Sequence, residues 1–500
     1  MRLTFGVVLV GLLSCVSPRA VAAAERDSRL ADAVSSRAGV VVQRLLSERA
    51  DVNGRQPDGT TALAWAAHWD DGATADSLIK AGADVNAAND LGVTPLALAC
   101  VNGSVSMGTR LLAAGADPNR ARKTGETPLM TAAFTGNIDL VRALLSHKAD
   151  VNAAAAESKQ TALMFAVAER HTAVVRALVA AGADVRARSA GGFSPILFAS
   201  RQGDVDSAAA LLDAGADSND KARDGNSALA IAVASGREEV ALLLLDRGAD
   251  PNAAHAGFAP LHVAVSRSLL GALKALLAHG ADPNVRLKTA PATLFGPGKG
   301  AGSEVPAAAG PDSTPSMSAA GSFAGATPFW LAAKNVNVAA MRLLRDAGAD
   351  VHLPNGEGTT PLMASAGLTQ VQGPRARRGD VSQFYSNWGE ADALEAVMFL
   401  LDAGADVHAK NASNQTALHG AAYMGGNTIV ELLLDRGARV DVQDGQGQTP
   451  YRLAEGHLNV ASQGVTEWPE TAALLRKRGA NTTLGVDGRT MLRQYVRPNP

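Results

Sequence analysis

Aromatic residues are scarce in this chain of 500 residues: 11 Phe, 5 Trp and 4 Tyr make up 4% of it. A β-sandwich is built from aromatic and β-branched strands, so this composition argues against one. Two cysteines are too few for a disulfide framework or a Cys-based zinc site. Charge of one sign is lacking as well. A formal net charge of −2 argues against a chain that grips nucleic acid along its length, because that affinity comes from neutralised phosphates. No segment beyond the N-terminus runs to the 18 or so apolar residues that a membrane-spanning helix requires. What is abundant is alanine and glycine (50 Gly), with 47% apolar and 19% charged residues. That is enough to bury a core, and it suits many small, tightly packed helices joined by turns.

The first residues read as an address. Arg2 gives a positive start, Phe5 to Leu13 form a short apolar run, and Ala22-Ala23-Ala24 precede Glu25 as a small-residue cleavage pattern. Residues 1–24 are therefore expected to be a secretory signal, placing the protein in the periplasm or outside the cell. The same stretch allows a second reading. Leu12-Leu13-Ser14-Cys15 is similar to a bacterial lipobox, in which Cys15 would carry a lipid anchor. The other cysteine, Cys100, lies in the apolar run Leu96 to Cys100 and reads as a buried structural thiol.

Internal repetition dominates the rest. Gly-Ala-Asp recurs from Gly82 to Gly404, with degenerate copies such as Arg49-Ala50-Asp51 and Lys148-Ala149-Asp150. Its aspartates at 51, 84, 117, 150, 184, 217, 250 and 282 are spaced by 33, 33, 33, 34, 33, 33 and 32 residues. About ten residues after each comes a second mark, as in Thr94-Pro95-Leu96, Thr127-Pro128-Leu129 and Thr360-Pro361-Leu362, eleven times in all. Thr or Ser suits the N-cap of a first helix, where its hydroxyl accepts an orphan backbone N–H. Pro suits the next position, where no N–H is needed. A second helix follows with apolar residues at helical spacing, such as Leu140, Val141, Leu144 and Leu145. Gly closes it in the left-handed conformation, and Asp-Val-Asn leads into a projecting hairpin. The spacing predicts eleven repeats after a degenerate N-terminal half-unit at about 28–53.

Two marks recurring in phase at this period identify a resemblance to the ankyrin repeat over nearly all of residues 28–484. The resemblance implies an all-α solenoid with short hairpin loops, a curved ribbon whose extended concave face binds partners. The histidine of the family's Thr-Pro-Leu-His string stands only at His262 and His419. In the family it braces a turn, and here it is read as structural. The family's partner-facing positions include the two residues after the Ala-Ala of each first helix. They fall on His68 and Trp69, Asn102, Phe134, Arg201, Arg267 and Tyr423, among others. Trp65, Phe165 and Phe198 stand where the family has Leu and read as core.

The period breaks three times. Asp282 to Asp350 is 68 residues, and the excess at 285–325 is rich in Ala, Gly, Pro and Ser, as a flexible insertion would be. It separates repeats at 25–284 from repeats at 326–484, with a cap or tail at 485–500. Asp350 to Asp406 is 56, and this excess, near 369–391, carries Arg375, Arg377 and Arg378 followed by Phe384, Tyr385 and Trp388. Exposed Arg and aromatic residues are common anchors of interfaces, so these three aromatics join the candidate partner-binding set. The alternative is that they fold back over their own unit. The last repeat lengthens around His457 to Trp468.

Motifs for catalysis are absent from the string: no His-Glu-x-x-His, Gly-x-Ser-x-Gly, Walker or Cys-x-x-Cys pattern occurs. Asp380 with Glu390 is the one local titratable pair that the second insertion offers. No cofactor or metal is expected. The sequence thus points to an exported, non-catalytic scaffold with a protein partner. Peptide or small-molecule binding in the groove, or a role as accessory subunit of an envelope enzyme, are the alternatives.

Overall fold

A computed structural model describes residues 27–254, 258–288, 323–368, 389–459 and 464–486. The described residues form 24 α-helices in twelve antiparallel pairs and one two-stranded hairpin, an all-α repeat solenoid. Contacts divide the chain into two units, residues 1–165 and 166–500.

Both sequence marks do what their chemistry allows. The hydroxyls of Thr61, Thr94, Thr127, Ser227, Thr327, Thr360 and Thr449 each accept the backbone N–H three residues on, at 3.1–3.3 Å. Proline follows at the first helical position in seven repeats, among them Pro95, Pro128 and Pro328. The alanine pairs Ala66-Ala67 and Ala132-Ala133 are fully buried between successive first helices. The glycine after each second helix takes a positive φ, as Gly82 does at 92°. Open space surrounds it, so conformation alone selects the residue there. The two copies without glycine, Arg49 and Lys148, adopt the same region at 58° and 66°.

The N-terminal segment is more than the expected half-unit. Arg29–Ser35 and Gly39–Ser47 make a whole helix pair, and only the first mark is missing. Ser28 stands at the N-cap in helical conformation and makes no capping bond through its side chain.

Within each unit an asparagine ladder joins the hairpins, and it is the main structural feature that the repeat marks did not announce. In unit 1, the Asn53 side chain accepts from the Asp84 N–H at 2.7 Å and donates to the Gly82 carbonyl at 3.3 Å. Asn86 and Asn119 make both bonds again, each one repeat further on. In unit 2, Asn219, Asn252 and Asn284 do so again. Arg186 replaces one rung, giving only the donor half, to the Gly215 carbonyl.

The ladder crosses the first period break. Asn284 bonds to Gly348 and Asp350, residues 64 and 66 further along the chain, as Asn252 bonds to Gly280 and Asp282. Residues 285–288 and 323–325, counted with the insertion above, form the base of an ordinary hairpin. Leu287 N–H donates to Ala326 O at 2.9 Å, and Gly325 N–H donates to Leu287 O at 2.7 Å. Trp330 just beyond is fully buried and donates to the Thr359 carbonyl at 2.8 Å.

The other two breaks lie between the helices of a pair. Around residues 369–388 the first helix shortens to Pro361–Ser365 and the second lengthens to Glu390–Asp402. In the last repeat the excess includes an antiparallel hairpin, His457–Asn459 with Gly464–Thr466, between helices Pro450–Glu455 and Pro469–Lys477. No helix of the described residues is long and apolar enough to cross a membrane.

Candidate protein-binding surface

Every first helix but the last ends on a residue in the left-handed region, such as Gly103, Gly136 and Gly203. The side chains just before it project beyond the alanine-packed stack. The candidate residues occupy this row, and the structure assigns them several roles.

In unit 1, Trp69 sits in a cluster. Its ring stacks on Trp65 (6.1 Å between centroids, 22° apart), meets His68 at 4.6 Å, and lies under the Arg37 guanidinium at 4.1 Å. Trp65 donates its indole N–H to Gln56 at 2.7 Å. Trp69 keeps 36% of its surface exposed and borders a cavity of about 260 Å³ with Val34, Arg37, Val42, Asp71 and Thr74. Aspartates beside it serve the fold. Asp71 caps the next helix, accepting from the Thr74 hydroxyl and N–H, and the hydroxyl bond above all lowers its carboxyl below the usual range; Asp70 accepts from the Ser104 hydroxyl. Phe134 is half-buried, edge-on to Phe165 at 6.4 Å. Asn102 is exposed as a residue but spends its amide on the preceding repeat, donating to the Ala67 and His68 carbonyls at 3.1 and 2.8 Å. It is a tether between repeats before it is anything else.

In unit 2, the Arg201 guanidinium lies over Phe193 and Phe198, 5.2 and 5.3 Å from their centroids. Partial desolvation there lowers its affinity for the proton. Arg267 is exposed and donates to the Ala234 carbonyl at 2.6 Å, the same backward reach that Asn102 makes. Tyr423 is less available than its position suggests. Its ring packs on buried His457 at 4.1 Å, and its carbonyl accepts the Trp468 indole N–H at 2.9 Å. Burial raises the phenol above its ordinary value and lowers the His457 imidazole. The lengthened last repeat folds back on this residue, which the spacing alone did not reveal. Phe384, Tyr385 and Trp388 lie outside the described residues, as does Asp380. Glu390 starts a helix and accepts from the Thr428 N–H and hydroxyl at 2.8 and 2.7 Å.

The core readings of Phe165 and Phe198 hold at 7% and 5% exposure, whereas Trp65 is half-buried. His262 and His419 brace their turns. Each accepts the backbone N–H of its N-cap at 3.1 Å, and the far ring nitrogens face the Val285 and Gln448 carbonyls. Burial holds both imidazoles below the ordinary value, His262 at about 4. Cys100 is fully buried and its thiol is pushed up to about 12, the state of a structural cysteine. Among the described residues no group of three or more His, Cys, Asp or Glu is placed to hold a metal ion.

Comparison with known proteins bears on this arrangement. The family model for ankyrin repeats in three copies matches residues 30–122, 109–189, 196–286 and 388–463. A 114-residue stretch is 40% identical to E3 ubiquitin-protein ligase Ufd4 of Drosophila melanogaster, covering 21% of this chain and 4% of that protein. A 149-residue stretch is 34% identical to Ankyrin repeat and SOCS box protein 16 of Homo sapiens, covering 26% of this chain and 33% of that one. The chain thus spans a third or less of the length of these relatives. Among solved structures, the ankyrin repeat domain of human ASB11 aligns at 26% identity and a TM-score of 0.40 over 44% of this chain and 98% of that one.

Proposed function

This chain belongs to the ankyrin-repeat family, and from that premise we propose that it is an exported, non-catalytic scaffold that binds another protein along the ends of its first helices. The observation that carries the reading is the character of that row. Trp69 and Phe134 in unit 1, and Arg201 and Arg267 in unit 2, are large aromatic or arginine side chains, half-buried or exposed, each carried on closely packed helices with an alanine- and leucine-rich core. Such residues dominate interface energetics, and a rigid frame spares them the entropy of ordering on binding. The row corresponds to what the family presents on its concave side. Export rests on the Arg2 to Ala24 pattern, with lipidation at Cys15 as the alternative.

Capture of partners from an envelope fraction, with wild type beside Trp69→Ala and Phe134→Ala, tests the binding row. Truncating an interface aromatic costs about 2 kcal/mol of affinity or more, roughly thirtyfold. A loss of capture at unchanged melting temperature supports the row, and a lowered melting temperature with capture intact places both rings in the core. The intact mass of the exported protein decides the rest: a chain starting at Glu25 supports the signal peptide, and a chain starting at a lipid-bearing Cys15 supports the anchor.

A further inference from the structure

Basic side chains in unit 2 fall in two rows that are treated differently. Along the ends of the second helices, basic side chains reach back to an acid of the preceding repeat. Arg247 meets Asp213 at 2.7 Å, His279 meets Asp246 at 3.1 Å, Arg436 meets Asp402 at 3.0 Å, and Arg478 pairs with Asp435. At the ends of the first helices or in the turn just beyond stand Arg201, Arg237 (the N-cap of the second helix in its repeat) and Arg267, from three consecutive repeats and all exposed. No carboxylate of the described residues lies within 4.0 Å of any of them. Glu238 and Glu239 begin the neighbouring second helix and stay outside that distance.

The three guanidiniums are nevertheless held in place. Arg237 donates through Nε to the Arg201 carbonyl at 3.3 Å, and Arg267 donates to the Ala234 carbonyl at 2.6 Å. Arg201 and Ala234 are equivalent positions, two residues before Gly203 and Gly236, so these two guanidiniums sit one repeat apart. The Arg201 guanidinium lies against Phe193 and Phe198. Most of the fifteen N–H donors of the three guanidiniums therefore find no acceptor among the described residues.

We propose that this row binds an acidic segment of a partner protein, an extended peptide whose carboxylates take the donors that the second-helix row satisfies internally. Packed helices lie about 8–10 Å apart, and an extended chain advances about 3.3 Å per residue. Successive repeats therefore match carboxylates about three residues apart. Fixed, forked guanidiniums bind carboxylates through paired N–H bonds, and the Phe193 and Phe198 rings shield Arg201 from water on one side. The proposal rests on the first-helix row being the partner-facing one.

The test uses the full chain and a fluorescent fifteen-residue Gly/Ser peptide with Glu at every third position, read by anisotropy. Its Gln counterpart should bind at least tenfold more weakly, and added salt should weaken the Glu peptide steeply. The triple change Arg201→Gln, Arg237→Gln, Arg267→Gln should also cost at least tenfold, and Arg247→Gln in the other row less than twofold. Arg237→Gln alone, the smallest perturbation, should give an intermediate loss at an unchanged melting temperature. Equal binding of the Gln peptide, equal losses from the two rows, or no binding of the Glu peptide by wild type up to millimolar concentration would overturn it. If the peptide fails while Trp69→Ala still abolishes partner capture, the acidic ligand is wrong and the scaffold stands. If Trp69→Ala and Phe134→Ala also leave capture intact, the row itself is wrong.

Discussion

Two of the period breaks enlarge a repeat in different places, and the repeats respond differently. The break after Lys288 leaves from a hairpin. Its flanks close on each other through Leu287, Gly325 and Ala326, Asn284 keeps its rung, and the helices on either side keep lengths of seven to nine residues. The break around residues 369–388 separates the helices of one pair, and there the first helix falls to five residues and the second grows to thirteen. Nearest-neighbour stacking explains the contrast. The flanks of the break still make the hairpin's bond to its neighbour, the Gly356 N–H donating to the Ala324 carbonyl at 2.7 Å, so the excursion leaves the interfaces between repeats unchanged. Length added between paired helices alters the helices that bound it, and Glu390 ties the lengthened one to Thr428 of the next repeat.

The contrast is broken most forcibly at Trp330, the largest fully buried side chain, just after the hairpin break. If the stack is continuous there, Trp330→Ala should cost about 3–5 kcal/mol in urea unfolding, as for any core aromatic. A cost under about 1 kcal/mol would mean that the repeats part at the break. Acid probes the same junction through His262, whose Nε2 faces Val285 in the interrupted hairpin. The folded imidazole takes up its proton only near pH 4, whereas the unfolded chain does so near 6.5. Between these values the unfolded state binds more protons, so stability should fall as pH is lowered from about 6.5 to 4. His262→Gln should lose less over that window than wild type. A parallel pH profile would show that the bracing contact does not persist in solution.

Next in size are the rungs. Asn284→Ala and Asn252→Ala each remove a donor and an acceptor, and each should cost about 1–3 kcal/mol, by the same amount within about 0.5 kcal/mol. A markedly cheaper Asn284→Ala would mark the interrupted hairpin as the weak one. The smallest effect is expected from joining Lys288 directly to Phe323. Loop closure depends on the logarithm of length, so stability should change by no more than about 2 kcal/mol, and partner capture should survive. Loss of folding on this deletion would assign residues 289–322 a structural part.

Much of this was legible in the string because each repeat states its own boundaries. The Thr-Pro and Gly-Ala-Asp marks fix where each helix starts and stops through capping chemistry that acts within a few residues. The ladder was readable in principle from the asparagine that recurs two places after most of the repeat aspartates, yet its partners lie some 29–31 residues away, and spacing does not name them. The binding row was legible by position only. Nothing local to Asn102 says that its amide reaches the Ala67 and His68 carbonyls, or that Tyr423 is covered once the last repeat folds back through His457 and Trp468. Those outcomes depend on which side chain the neighbouring repeat supplies.

The central claim, that the first-helix row meets the partner, is tested most directly by hydrogen exchange on the full chain with and without the captured protein. Protection is expected at the backbone following the first helices, around residues 68–71, 134–137, 201–204 and 234–237, with the ends of the second helices around 213 and 246 unchanged. Protection confined to the second-helix ends would contradict it.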